Sequence, residues 1–170
     1  MDARSARQTD IIANAVKINA GLWANELNIV TGKNEVNYKT QEVKKIADTN
    51  NGISLDVAAI GGMYAGRIKL IGTAQGVGVN TSGSIYADNG IELTQTGKVQ
   101  LHGSVTAKGD VNISSLDELT NTGTVYTQQN LLLKSTAGFK NQGTAKADKE
   151  LQIQIAGNLQ NNGSIEGMKL

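Results

Sequence analysis

Along the second half of the chain, apolar residues stand at every second position in short runs, and the runs themselves return every 20 residues. Counted from Gly83, Gly103, Gly123, Gly143 and Gly163, the residues two places on are Ile85, Val105, Val125, Ala145 and Ile165. Four places on stand Ala87, Ala107, Thr127, Ala147 and Gly167. Further along each repeat come Ile91/Leu93, Val111/Ile113, Leu131/Leu133 and Leu151/Ile153, then Val99, Leu119, Phe139 and Leu159. Apolar residues at i and i+2 face one side of an extended strand, and a helix would need a period of 3.6. The pattern therefore predicts three short strands per 20-residue coil. One coil buries little alone, but stacked coils place like on like and form a continuous core. The fold class that follows is all-β, a parallel β-helix or β-solenoid.

Two regions result: irregular coils over residues 1–82, with a polar excursion at 33–52, and regular 20-residue repeats over 83–170. Upstream of Gly83, Gly21–Ile29 reads as two strands with a corner between them, and Ile53–Val57 and Arg67–Ile71 as two more. Within the excursion, Thr40–Ala47 reads as a short helical turn. The repeated glycines are expected at corners, where positive φ is favoured. Asn121, Asn141 and Asn161 stand two places ahead of Gly123, Gly143 and Gly163. They are expected to stack as an asparagine ladder.

Composition narrows the function. The formal net charge of +1 lacks the footprint of a nucleic-acid binder. The chain has no Pro, which suits a chain of strands, and no Cys, so neither disulfides nor thiolate metal sites are available. No apolar stretch is long enough to span a bilayer as a helix. The one histidine, His102, has no second His or Cys to complete a metal site. Polysaccharide cleavage needs clustered carboxylates. Asp88 and Asp148 share a column three coils apart, and only Asp110 and Glu150, with Asn130 between, come nearer. Corner chemistry accounts for these, as it does for Gly61-Gly62 and Gly76-Val77-Gly78, which lack the residues of a phosphate loop. No catalytic residue, cofactor or metal is expected. Trp23, Tyr64, Tyr86 and Tyr126 are the aromatic candidates for partner contact. Tyr86 and Tyr126 fall in one outward column.

Two long stretches carry a family resemblance. One is Thr9-Asp10-Ile11-Ile12-Ala13-Asn14-Ala15-Val16-Lys17-Ile18-Asn19-Ala20-Gly21-Leu22-Trp23-Ala24, continuing through Leu27-Asn28-Ile29-Val30-Thr31-Gly32. The other is Leu55-Asp56-Val57-Ala58-Ala59-Ile60-Gly61-Gly62-Met63-Tyr64-Ala65-Gly66-Arg67-Ile68-Lys69-Leu70-Ile71-Gly72-Thr73, continuing through Gly76-Val77-Gly78-Val79. With the repeats, the chain resembles the secreted exoproteins of bacterial two-partner secretion, the filamentous haemagglutinins and contact-dependent growth inhibition proteins. The resemblance covers the end of the N-terminal secretion domain and the start of the haemagglutinin-type repeats.

It implies a right-handed solenoid and a structural shaft of a large secreted or cell-surface filament that adheres or presents a distal toxin. It also implies two partners of the full-length parent: an outer-membrane two-partner secretion transporter, and a protein or carbohydrate receptor on a host or neighbouring cell. The signal peptide and the Asn-Pro-Asn-Gly-type motif of that family are missing, so we expect a truncated or incomplete product that is not secreted by itself. End-to-end self-association, as a self-assembling solenoid, is the alternative role. A β-helical carbohydrate-active enzyme is the remaining one.

Overall fold

A computed structural model describes residues 1–37, 39–40, 42–47 and 52–168. The chain winds as a stack of coils whose strands pair in parallel with the coil before and the coil after. One face runs through Gln8–Ala13, Gly21–Thr31, Gly62–Gly72, Ser84–Gln95, Ser104–Ala107, Thr124–Thr127, Thr144–Ala147 and Ser164–Glu166. A second runs through Val16–Ile18, Leu55–Val57, Val77–Thr81, Lys98–Leu101, Glu118–Asn121, Gly138–Asn141 and Asn158–Asn161. The third side, Val111–Ser115, Leu131–Ser135 and Leu151–Ile155, stacks on the second half of Ser84–Gln95.

The repeat columns are the core. Val105 pairs with Ile85 and Val125, Ile113 with Leu93 and Leu133, and Leu119 with Val99 and Phe139. All of these are buried. Each fully buried aliphatic side chain contributes about 1.5–3 kcal/mol, and because the columns are continuous every coil shares its core with its neighbours.

Three details differ from the pattern-based expectation. Gly21–Thr31 and Gly62–Gly72 are each one long strand covering two sides of the coil. The alternation breaks at Asn25 and Glu26, both exposed, so that Ala24 and Leu27 can both face inward. The excursion carries Asn34–Val36 paired antiparallel with Val43–Lys45, with Val36 opposite Val43. This small hairpin replaces the expected helical turn. Cross-strand pairing gives the segment an anchor that a helix with so few apolar positions would lack.

The third difference concerns the glycines. Among the described residues positive φ occurs at Gly32, Gly52 and Gly76, not at the five repeat glycines. What those positions require is room. At the corners of Gly83, Gly103, Gly123 and Gly143 two successive amides converge on one carbonyl of the preceding coil: Thr122 N and Gly123 N, for example, donate to Leu101 O, at 2.8 and 3.0 Å. Thr124 N then donates to Gly103 O at 2.9 Å. This stitching draws the backbones together until a Cβ on Gly123 would lie 2.0 Å from Gly103 O. The same approach recurs at Gly83, Gly103, Gly143 and Gly163.

Candidate functional site

The outward column of the first face carries the aromatic residues. Trp23 pairs with Tyr64, Tyr64 with Tyr86, Tyr86 with Thr106 and Thr106 with Tyr126. Tyr86 and Tyr126 therefore share a column two coils apart, and Trp23 and Tyr64 extend it upstream. The column has two conformations with a local cause. The Trp23 and Tyr64 rings stack at 5.6 Å with 16° between their planes, and each leans back over the residue two places earlier. A Cβ on Gly21 would lie 2.1 Å from Trp23, and one on Gly62 would lie 2.7 Å from the Tyr64 hydroxyl. Ser84 occupies the equivalent place before Tyr86. Tyr86 points the other way, and its hydroxyl donates to Asp88 at 3.1 Å. Tyr126 likewise donates to Asp148, in the next coil, at 2.7 Å.

Charge pairs cross between coils beside this column. Lys108 Nζ lies 2.7 Å from Asp88. The Lys108 ammonium, then the Tyr86 hydroxyl, hold the Asp88 carboxyl below its ordinary range. The Asp148 carboxylate raises the Tyr126 phenol. On the coil edge, Asp110 Oδ1 accepts from both the backbone and side-chain amides of Asn130, each at 3.0 Å, and Asn130 Oδ1 accepts from Glu150 N at 3.3 Å. Asp110 thus holds the turn of the next coil. His102 is exposed, with Nδ1 2.7 Å from Thr122 Oγ1. No group of three His, Cys, Asp or Glu able to hold a metal occurs among the described residues.

Asn121 and Asn141 lie buried in the core wall, and Asn161 below them is exposed. Asn121 Nδ2 donates to Asn141 Oδ1 at 2.8 Å, and Asn141 Nδ2 donates to Asn161 Oδ1 at 2.8 Å. The second proton of each donor goes to a backbone carbonyl, Thr144 O and Ser164 O respectively.

Around Trp23, Tyr64 and Tyr86 the face opens into a groove of about 800 Å³, with Arg4, Arg7, Asn25, Glu26, Asp88 and Asn89 on its walls. The N-terminal turn forms one wall because Asn25 Nδ2 donates to Arg4 O and Ala6 O, at 2.7 and 2.8 Å. The sequence reading identified the aromatic residues but placed only Tyr86 and Tyr126 together. The overlooked signal is an aromatic residue two places after a glycine, twice, at Gly21/Trp23 and Gly62/Tyr64.

Comparison with known proteins places this architecture. The model of the TPS (two-partner secretion) secretion domain matches residues 1–113, the irregular coils and the first regular ones. The chain belongs to the TPS secretion domain family. Its relatives include "Toxin CdiA" of Yersinia pestis, 50% identical over 101 residues, which are 57% of this chain and 3% of that protein. "tRNA nuclease CdiA-2" of Burkholderia pseudomallei is 39% identical over 104 residues, 59% of this chain and 3% of that protein. "16S rRNA endonuclease CdiA" of Enterobacter cloacae is 41% identical over 93 residues, 54% of this chain and 3% of that protein. The TPS chain thus spans only about 3% of the length of the curated relatives it matches. No solved structure matches it.

Proposed function

We propose that this chain is a scaffold segment of a secreted two-partner secretion filament, joining its secretion domain to a repetitive shaft that adheres to cells or presents a distal activity. The observation that carries this reading is continuity. Ser104–Ala107, within the matched residues, pairs with Thr124–Thr127 beyond them, and Val111–Ser115 pairs with Leu131–Ser135, so the coils of the secretion-domain match and the coils that follow share one sheet and one core. A partner binding the first coils and a load carried by later ones would be joined by a stiff element, without a flexible linker.

In this reading an outer-membrane transporter engages the secretion-domain coils, and the receptor is a surface protein or carbohydrate. The protein is secreted or displayed at the bacterial surface as part of its parent. The chain itself performs no catalysis, and the nuclease activities named for its relatives belong to other parts of those much longer proteins. Two assays test this. Immobilised chain should retain a detergent-solubilised two-partner secretion transporter, and should leave tRNA and 16S rRNA intact. Failure to retain the transporter contradicts the secretion role, and cleavage of either RNA overturns the scaffold reading.

A further inference from the structure

We propose that the groove beside Trp23 and Tyr64 is a binding site for a neutral saccharide. A sugar ring presents an apolar C–H face and a rim of hydroxyls, and its site needs a flat aromatic surface flanked by hydrogen-bonding groups. The Trp23–Tyr64 stack supplies the surface. Gly21 and Gly62 make it possible, because any side chain there would collide with the rings, and the stacked pair lines the groove together with Tyr86. Trp23 remains 39% exposed, unusual for the largest apolar side chain of the chain.

The walls supply the polar groups. Among the described residues the side chains of Arg7, Glu26 and Asn89 make no hydrogen bond or ion pair, although all three border the groove. A set of donors and acceptors converging on a concave aromatic surface is the composition of a small-molecule site. The charges decide the class. Two cations, Arg4 and Arg7, and two anions, Glu26 and Asp88, line the groove. Arg4 and Asp88 are already paired with Asp2 and Lys108. The remaining Arg7 and Glu26 cancel, so no net field recruits a polyanion. The floor is side chains on a sheet face without free backbone edge, which disfavours an extended peptide, whose capture relies on main-chain hydrogen bonds.

Trp23 is the only tryptophan, so intrinsic emission reports this groove alone. The full chain is titrated with tetrasaccharides of glucose, galactose and N-acetylglucosamine, and with a sulfated heparin tetrasaccharide. A saturable emission change with at least one neutral sugar is expected. Asn89→Ala, a change at an exposed residue, should weaken it by about tenfold, as loss of one or two hydrogen bonds implies. Tyr126→Phe, outside the groove, should leave it unchanged. The proposal is overturned if none of the neutral sugars changes the emission while acrylamide still quenches Trp23, if only the sulfated sugar binds, or if Asn89→Ala binds as the natural chain does.

Discussion

Asn121 donates its side-chain amide to Asn141 across the interface between two coils, at 2.8 Å, and both side chains are buried. The ladder has a defined start. In the preceding coil the same column holds Leu101, which pairs with Asn121 and offers no donor, and Asn121 Oδ1 is left without a partner. Buried amides in a column satisfy one another only if each coil contributes one.

Replacing Asn141 by Ala removes the middle rung and takes the acceptor from a donor proton of buried Asn121, whereas exposed Asn161 keeps Gly163 N on its Oδ1. An unsatisfied buried polar group costs about 1–3 kcal/mol. Urea unfolding should show a lower midpoint with the same slope, and an unchanged midpoint would remove the ladder from the stabilising interactions.

The junction between irregular and regular coils rests on Gln95. Its buried side chain fills space left by two glycines: a Cβ on Gly72 would lie 1.6 Å from Gln95 Oε1, and one on Gly78 1.9 Å from Nε2. Later coils hold Ser115 and Ser135 in this column. Gly72→Ala alone should be strongly destabilising, by overpacking of about 1–3 kcal/mol. Combined with Gln95→Ser, it should recover most of that loss. Additive losses in the double variant would show that the two positions do not share this space.

Glycine is needed for different reasons at different places, and two substitutions separate them. Gly123→Ala meets the Gly103 carbonyl at 2.0 Å, whereas Gly52→Ala meets nothing within 4 Å but must hold φ at 73°. The latter should cost about 1–2 kcal/mol, the ordinary penalty of a left-handed residue. Gly123→Ala should cost more, because two coils must separate. Thermal unfolding that ranks the two in the opposite order would contradict the stacking explanation.

Acid should loosen the stack. The Lys140 ammonium, 3.0 Å from the Glu118 carboxylate across a coil boundary, holds that carboxyl below its ordinary 4.5. Lys108 does the same for Asp88, and Ser164 then Lys146 for Glu166. A carboxyl with a depressed folded value binds fewer protons in the folded chain. Its contribution is complete above the unfolded value and disappears as pH falls through the folded one. The urea midpoint should be flat between about pH 6 and 8 and fall below about 4.5. Glu118→Gln should make that fall shallower, by about 1 kcal/mol or less for so exposed a pair. A midpoint that rises on acidification would contradict these pairings.

How much of this was legible in the sequence depends on where the period holds. From Gly83 onward each column, from Ile85 to Ile165 and from Val99 to Leu159, can be written from spacing alone, because stacking fixes both period and register. Upstream the period fails for two physical reasons. A hairpin is inserted between Thr31 and Leu55, and Gly62 pairs with Ser84, two residues beyond the regular interval, with a register shift between Ala65 and Arg67. No repeat search could therefore set Trp23 over Tyr64. The glycines were recognised but not their reason, since the carbonyl they must clear belongs to another coil. Gly78 reads as a corner, while the side chain that it and Gly72 accommodate lies in Gln95.

The most direct test of the stacked scaffold is to delete one coil. Removing residues 124–143 joins Gly123 to Thr144, and sets Val105 over Ala145, Ile113 over Ile153 and Asn121 over Asn161. Removing residues 124–133 instead sets the coils on the two sides of the cut out of register with each other, while the columns within each side keep their spacing. Circular dichroism with urea unfolding should show a β-rich chain and one cooperative transition for the first deletion, and loss of that transition for the second. If the two deletions behave alike, or the full-coil deletion fails to fold, the chain is not a stack of equivalent coils.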